Sequence, residues 1–357
     1  MSVTDLTTFG WNKFFEANFE SYRARGYTAG RVALEHKNLF HVYTQGGDVL
    51  AEISGKLRHE ATDRMNLPAV GDWVVIRSRP EGGRAMIHAV LPRRTSFARK
   101  IAGSRTEQQI IGANIDTVFL VTSLNQDFSL RRIERYLAVA LESGANPIII
   151  LSKADLCDRV ADSLAEVQSV ARGVPIRVIS VVTGDGLQEI RQYFECGQTV
   201  ALLGSSGVGK STLINHLTGV EHLKVQTVRA SDDRGRHTTT HRELILLPSG
   251  GLVLDTPGMR ELQLWDGNVP LVFDDIESLA SRCFFSDCSH QGEPRCAVHE
   301  ALAQGRIDTG RYESYEKLQK ELQYLDRRRD KLSEIVEKKK WKKLSRHATE
   351  RARLKRR

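Results

Sequence analysis

The sequence contains no run of about 18 apolar residues, the length a membrane-spanning helix needs. Its first residues, MSVTDLTTFGWNKFF, also lack the basic stretch followed by an apolar one that marks a secretory leader. These absences point to a cytoplasmic protein with no membrane partner. Cysteine is scarce, five in 357 residues, which excludes a disulfide scaffold. Cys157 and Cys196 stand alone and read as ordinary buried thiols, whereas Cys283, Cys288 and Cys296 crowd together with His290 among them. In a reducing compartment such crowding indicates metal before disulfide. Internal repeats are missing, so solenoid architectures are excluded. Acid is nearly absent from the last twenty residues: between Lys338 and Arg357 there are eleven Lys or Arg against Glu350, so this tail carries +10 of a net charge of +8. The other 337 residues sum to −2, and a cationic arm on a near-neutral body is the pattern of a tethered polyanion binder.

At this length two or three domains are expected. Residues 1–28 read as an N-terminal extension in which Trp11, Phe14, Phe15, Phe19 and Tyr22 fall at helical spacing; the helix docks on a neighbouring domain or, alternatively, on a partner. Residues 29–98 change texture to short β-like runs broken by Gly-Gly and Pro-Glu-Gly-Gly, which suits a small five-stranded OB-like barrel. Trp73 in VGDWV is core or, less commonly in such barrels, a stacking platform. The segment SFARKIAGSRTEQQIIGA reads as a linker bearing Arg99, Lys100 and Arg105. From 107 to 268 apolar runs alternate with helical stretches near 130–143, 159–172, 187–195 and 210–218, the pattern of a mostly parallel sheet covered on both faces. Residues 269–357 hold the Cys/His cluster, a long polar helix and the basic tail.

Gly204-Ser205-Ser206-Gly207-Val208-Gly209-Lys210-Ser211 fits G-x-x-x-x-G-K-[ST], between the apolar run TVALL and the helical KSTLINHL. Glycines let backbone N–H groups turn inward around phosphates, and the following helix adds its partial positive charge. In this reading Lys210 bridges the β- and γ-phosphates, the Ser211 hydroxyl coordinates Mg²⁺, and Thr212 completes the contact set. Asp255-Thr256-Pro257-Gly258 follows the apolar GLVL; Asp255 suits the Mg²⁺ shell and Gly258 offers an unhindered N–H to the γ-phosphate, a plain strand-ending turn being the alternative. Between them, RASDDRGRHTTTHREL is a polar segment whose Thr238 and Thr239 complete the Mg²⁺ shell only with the γ-phosphate present, which makes it a switch.

Ser152-Lys153-Ala154-Asp155, after PIIIL, supplies a base reader. Guanine presents N1–H and an exocyclic amine side by side to one carboxylate, whereas adenine has a lone pair at N1 and no amine beside it. Asp155 therefore selects GTP over ATP, because a mismatched ligand leaves buried polar groups unpaired. SVVTGDG, Ser180 to Gly186, lies at the next strand end and closes over the base. These pieces are the five GTPase motifs in the order fourth, fifth, first, second, third. The fold is thus expected to be a circularly permuted P-loop GTPase domain, tolerable because domain termini lie close together at the surface. Cys283-x4-Cys288-x-His290-x5-Cys296 offers three thiolates and an imidazole, a closed structural Zn²⁺ set, with His299 competing for the histidine place.

This arrangement resembles the small ribosomal subunit-dependent GTPase A (RsgA) family over nearly the whole chain, through AVGDWV, GSSGVGKSTLIN, GRHTTT, DTPGMRE and the cysteine spacing. The resemblance implies a GTP hydrolase using GTP/GDP with Mg²⁺ and one structural Zn²⁺. It implies binding to the 30S ribosomal subunit and its 16S rRNA during late subunit maturation, with hydrolysis stimulated by the subunit, and a monomer. Two departures stand out: Ser152 occupies the usual Asn place and is shorter, weakening its grip on guanine, and residues 1–28 have no counterpart role. Met259 stands where many GTPases carry a water-orienting Gln, and His237, just before the switch threonines, is the substitute, a merely solvated histidine being the alternative. Rival readings are an rRNA-binding scaffold with a structural nucleotide site, separated by measuring turnover with and without 30S subunits, and a P-loop ATPase, opposed by Asp155.

Overall fold

A computed structural model describes residues 5–36, 38–61, 63–78, 83–100, 108–125, 127–171, 173–219, 242–255, 272–324 and 327. The chain divides into two compact units, Met1–Gln263 with Pro270–Asp274, and Leu264–Val269 with Asp275–Arg357. In the first unit, α1 (Lys13–Arg23) starts at Asn12, whose side-chain oxygen accepts from the N–H groups of Phe14 and Phe15 and so satisfies two otherwise orphaned donors. Its apolar side buries Phe15 and Phe19. Trp11 and Phe15 set their rings 4.6 and 5.7 Å from that of Trp73, so the extension docks on the barrel and Trp73 is core, fully buried.

The barrel consists of β1 (Thr28–His36), β2 (Leu39–Thr44), β3 (Gly47–Ile53), β4 (Trp73–Arg77) and β5 (Ala85–Val90), in the order β1-β2-β3-β5-β4 with β4 returning to β1. Closure removes the sheet edges. A short helix, α2 (Gly55–Glu60), lies between β3 and β4 and is capped by Ser54. On β1 the fully buried Arg31 faces inward, donating to the carbonyls of Gly71 at 3.3 Å and Asn114 at 2.8 Å and to that of Phe9. It thereby ties the N-terminal segment, the barrel and the entry to the next sheet. Burial pushes its pKa down to about 10, leaving it charged at neutral pH. The buried carboxylate Asp72, raised by the same desolvation, is held by Arg93 at 2.7 Å. Arg31→Leu would leave the Phe9 and Asn114 carbonyls without this donor, each worth about 1–3 kcal/mol when buried, while the Gly71 carbonyl keeps the Asn114 amide at 3.1 Å. The expected outcome is a fall of at least ~2 kcal/mol, or about 6 °C in Tm for a unit of this size; a thermal melt within about 2 °C of wild type would refute it.

The sequence 96–113, expected to be a linker, is instead an antiparallel hairpin, β6 (Ser96–Lys100) and β7 (Gln108–Ala113). Phe97, Ile110 and Ile111 are buried, and this burial outweighs the polar, loop-like composition around them. Arg99 and Lys100 lie on β6, while Arg105 falls outside the described residues.

The rest of the first unit alternates strands and helices: β8 (Thr117–Ser123), α3 (Leu130–Ser143), β9 (Asn146–Ser152), α4 (Val160–Val170), β10 (Ile176–Val178), α5 (Leu187–Arg191), β11 (Thr199–Leu203), α6 (Lys210–Thr218), β12 (Glu243–Leu246) and β13 (Leu252–Asp255). Sheet order is β10-β9-β8-β11-β13-β12, all parallel except β12. Every residue of β8 and β11 is buried, as central parallel strands covered on both faces require. The chain winds outward from β8 through β9 to β10 and then returns to β11 on β8's other side. That reversal opens a crevice beyond the carboxyl ends of β8 and β11, where such sheets bind ligands. β12 also pairs with β1, Glu243 opposite Leu34, and the Tyr43 hydroxyl donates to the Leu244 carbonyl at 3.1 Å. Barrel and parallel sheet are therefore one continuous eleven-stranded sheet.

The second unit holds the helices Asp274–Ala280 and Ala297–Ala303 and a longer one over 309–324. Arg311 grips the Asp275 carboxylate with two hydrogen bonds at 3.0 and 2.8 Å, and the Tyr315 hydroxyl donates to Glu277 at 2.9 Å. Among the described residues no helix is long and apolar enough to cross a membrane.

Candidate nucleotide site and metal centre

Parallel strands deliver their carboxyl ends to one edge of the sheet, and the sequence places its polar motifs there. β11 ends at Leu203 and runs into the glycine-rich loop, with α6 starting at Lys210. Gly204 crosses β8 so closely that a Cβ would sit 2.3 Å from the Val121 carbonyl oxygen, so no other residue fits. Gly207 and Gly209 adopt left-handed conformations, with φ of 77° and 98°. Val208 is buried and anchors the loop, while Ser205, Ser206, Ser211 and Thr212 retain exposure. The Lys210 ammonium lies across the loop and donates to the Gly204 and Ser205 carbonyls at 2.7 and 2.5 Å. Asp255 ends β13, whose Leu254 pairs with Ala201 of β11, so its carboxylate belongs to the same edge.

The base-reader residues lie at the end of β9. Lys153 takes a left-handed conformation at φ 58°, which turns the chain sharply into the short turn Ala154–Leu156. The exposed Asp155 carboxylate accepts a hydrogen bond of 2.5 Å from the hydroxyl of Ser180, itself fully buried after β10. Ser180 is in turn held by the Thr183 N–H at 3.2 Å, and the Ala154 N–H donates to the Ile179 carbonyl, so both loops are fixed to each other. Gly186 closes the second loop where a Cβ would lie 2.0 Å from the Val178 carbonyl oxygen.

Ser152 has a role the sequence did not disclose. Its buried hydroxyl donates to the Val208 carbonyl at 2.7 Å and lies 3.2 Å from that of Thr122. A hydroxyl has a single proton, so the shorter bond dominates, and it joins the base-reading strand to the phosphate loop across 56 positions of sequence. The Ser180–Asp155 bond was likewise unread, although a hydroxyl residue ending the next strand was its visible signal. His237, Thr238, Thr239 and Gly258 lie outside the described residues.

In the second unit Cys283, Cys288, His290 and Cys296 bring their ligand atoms within 4.8 Å of one another. The Cys283 and Cys296 sulfurs are 3.9 Å apart, and His290 Nδ1 lies 3.6 and 3.4 Å from them. A tetrahedral zinc with Zn–S of about 2.3 Å and Zn–N of about 2.0–2.1 Å has ligand edges of roughly 3.8 and 3.5 Å, so these residues fit that ion. His290 rather than His299 supplies the ring; His299 meets the cluster through its backbone N–H, 3.4 Å from the Cys296 sulfur. The loop between is braced by Glu293, which accepts from the N–H groups of Ser289 and Gln291 and from the Ser289 hydroxyl; those bonds hold its carboxyl down to about 2. Cys157 and Cys196 differ from expectation: the first is half-buried and the second exposed, in the turn that precedes β11.

Comparison with known proteins agrees with this geometry. The RsgA GTPase family model matches residues 90–265. An ABC transporter model matches 187–352, a stretch that includes the phosphate loop common to P-loop ATPases but not Ser152–Asp155. The chain is 47% identical over 350 residues to a protein of Opitutus terrae named small ribosomal subunit biogenesis GTPase RsgA, covering 95% of each. It is 41% identical over 352 residues to one of the same name from Syntrophotalea carbinolica, covering 96% of each. Among solved structures, YjeQ from Thermotoga maritima matches with a TM-score of 0.61 at 29% identity, covering 83% of this chain and 98% of that one. YloQ, described as a circularly permuted GTPase, matches with a TM-score of 0.57 at 24% identity over 85% of this chain and 96% of its own. With the reader strand ahead of the phosphate loop and both at one sheet edge, the chain belongs to the RsgA family of circularly permuted GTPases.

Proposed function

We propose that the protein hydrolyses GTP while bound to the small ribosomal subunit, during late maturation of that subunit. The observation that supports this reading is the 2.7 Å bond from Ser152 to Val208, which ties the end of the strand leading to Asp155 to the phosphate loop. Asp155, fixed by Ser180, pairs with N1–H and the exocyclic amine of guanine, with Lys153 and Ala154 beside the ring. Gly204, Ser205, Ser206, Gly207, Val208 and Gly209 turn N–H groups toward the phosphates, and Lys210 moves from the loop carbonyls to the β- and γ-oxygens. Ser211, Asp255, Thr238 and Thr239 hold Mg²⁺, which neutralises charge on the phosphates when bound; Thr212 and Gly258 complete the contacts. Cys283, Cys288, His290 and Cys296 hold one Zn²⁺ that closes the second unit and performs no chemistry.

The relatives' name, the barrel and the basic tail at 338–357 support 30S subunits and their 16S rRNA as partner, met by a cytoplasmic monomer. That tail lies outside the described residues. Phosphate contacts by its Lys and Arg are sequence-independent and salt-sensitive, so RNA shape supplies the specificity. Subunit binding orders the switch segment, hydrolysis follows, and the GDP form leaves. Turnover measured with and without purified 30S subunits tests this: stimulation is expected, and its absence would favour a scaffold whose nucleotide is structural. His237 orients the attacking water. His237→Ala is expected to lower subunit-stimulated turnover more than tenfold, within the range of about 10²–10⁴ for general acid–base groups, with GTP affinity unchanged. Near-normal stimulated turnover would remove His237 from the mechanism.

A further inference from the structure

A second feature of the first unit lies away from the nucleotide crevice. Between α1, α2 and β5 there is an open cavity of about 530 Å³, walled by Tyr22, Arg25, Tyr27, Lys56, His88 and Arg93 among others. Its size is that of a site for a nucleotide-sized group. Three aromatic rings follow one another along the wall: Tyr22 and Tyr27 meet at 6.1 Å and 85°, and Tyr27 and His88 at 5.1 Å and 65°. Cations are interleaved with them. The Arg25 guanidinium lies 4.7 Å from the Tyr22 ring centre, and Arg77 lies 5.2 Å from that of Tyr27. Lys56 and Arg25 are exposed at the mouth, and Glu60, 3.7 Å from Lys56, is the acid on this wall.

Half-buried rings edged by guanidinium groups are the chemistry that takes a nucleobase by stacking while nearby cations take its phosphate. The floor adds Leu57, Met65, Val90, Leu91 and Pro92, on which a base ring can rest, and the cations Arg25, Lys56 and Arg93 against the single acid Glu60 favour an anionic ligand over a peptide. The usual oligonucleotide face of a five-stranded barrel of this kind is its β2–β3 surface. This cavity lies elsewhere and depends on the N-terminal extension, because Tyr22 comes from α1 and Arg25 from the turn after it.

We infer that residues 1–28 and the barrel together form a binding site for an unpaired nucleotide of single-stranded RNA, its base stacked against Tyr22 and Tyr27 and its phosphate met by Arg25 and Lys56. The inference rests on the proposed grip on rRNA and gives one of its contacts a chemical form. It also assigns the extension work beyond docking through Trp11 and Phe15.

The test titrates the full-length protein into a fluorescein-labelled ten-nucleotide single strand of mixed sequence and into an RNA duplex of the same composition, with adenosine and uridine monophosphates as competitors. Tyr22→Ala is expected to weaken single-strand binding about tenfold with an unchanged salt slope, because stacking releases no counterions. Tyr22→Phe, which keeps the ring, is expected to bind within twofold of wild type, and duplex binding is expected to be unaffected. Lys56→Gln, in contrast, should lower the salt slope by about one phosphate's share. Single-strand affinity unaltered in Tyr22→Ala would overturn the inference while leaving the rRNA reading intact, and so would an equal loss on duplex. Competition by the monophosphates at affinities matching the strand would also overturn it, in favour of a free-nucleotide site. Failure of the wild-type protein to bind any RNA would instead remove the rRNA reading itself, and this site with it.

Discussion

Asp155→Asn is expected to weaken GTP binding by about a thousandfold and to raise affinity for xanthosine triphosphate. In the proposed site the carboxylate would accept both hydrogens that guanine offers at N1 and at the exocyclic amine. An amide in its place turns one acceptor into a donor, so a pair of attractions becomes an attraction and a clash. Hydrogen bonds to a charged partner contribute about 1.5–3 kcal/mol each, and a buried donor left facing a donor costs a further 1–3. A combined loss near 4 kcal/mol is a factor of about 10³. Xanthine carries a carbonyl where guanine carries the amine, so the new N–H finds an acceptor and the penalty reverses. The Ser180 hydroxyl, 2.5 Å from the Asp155 carboxylate, keeps a carbonyl acceptor in the variant, so the loop itself should stay closed. Equilibrium titration with both labelled triphosphates reads the outcome. Equal GTP affinity in wild type and variant would mean that the carboxylate does not face the base, and the guanine-reading role would be withdrawn.

Local pattern and distant pairing were legible to very different degrees. The helix Leu130–Ser143 is readable to the residue, because its apolar spacing ends at Gly144, which takes the left-handed C-terminal conformation. The barrel strands and the phosphate loop are readable too, since each is bounded by turn residues whose backbone demands are local. What escaped involves partners far apart in sequence. The hairpin at 96–113 reads as a linker until Phe97, Ile110 and Ile111 are seen to be buried, and nothing near them announces that burial. Arg31 sits in a β-run where an arginine suggests an outward face; inside, it takes carbonyls from residues 9, 71 and 114. Ser152 was judged by its length against guanine, although what it does is hold Val208. Motif order revealed the permutation because the carboxyl ends of parallel strands share one sheet edge regardless of where the chain is cut. The join of β12 to β1 left no local trace. It matters for function because β12 emerges directly from the segment holding Thr238 and Thr239, so the barrel grips one end of the proposed switch.

Metal removal should have the largest effect on the second unit. Its described interior is small: Ile276, Val298, Ala301, Ile307, Tyr315 and Leu318 make up the buried apolar side chains, joined by Cys296 and the buried end of Arg311. These described side chains alone fall short of what a domain needs to offset the conformational entropy of ordering its chain. Zinc bound by thiolates and imidazole in structural sites contributes about 10–16 kcal/mol at neutral pH, comparable to or above the whole stability of an ordinary domain, about 5–15 kcal/mol. A zinc ion held there would therefore decide whether the unit is folded. Cys296 would be its critical ligand, because besides its place in the cluster its sulfur caps the helix Ala297–Ala303 by accepting the His299 N–H. Elemental analysis should return one zinc per chain. Cys296→Ala, or exhaustive chelation, should abolish the protease resistance of the segment 275–324 and reduce helical circular dichroism, with readdition of zinc restoring both in the chelated protein alone. Retention of that resistance in zinc-free protein would show that packing suffices, and the cluster would lose its structural role.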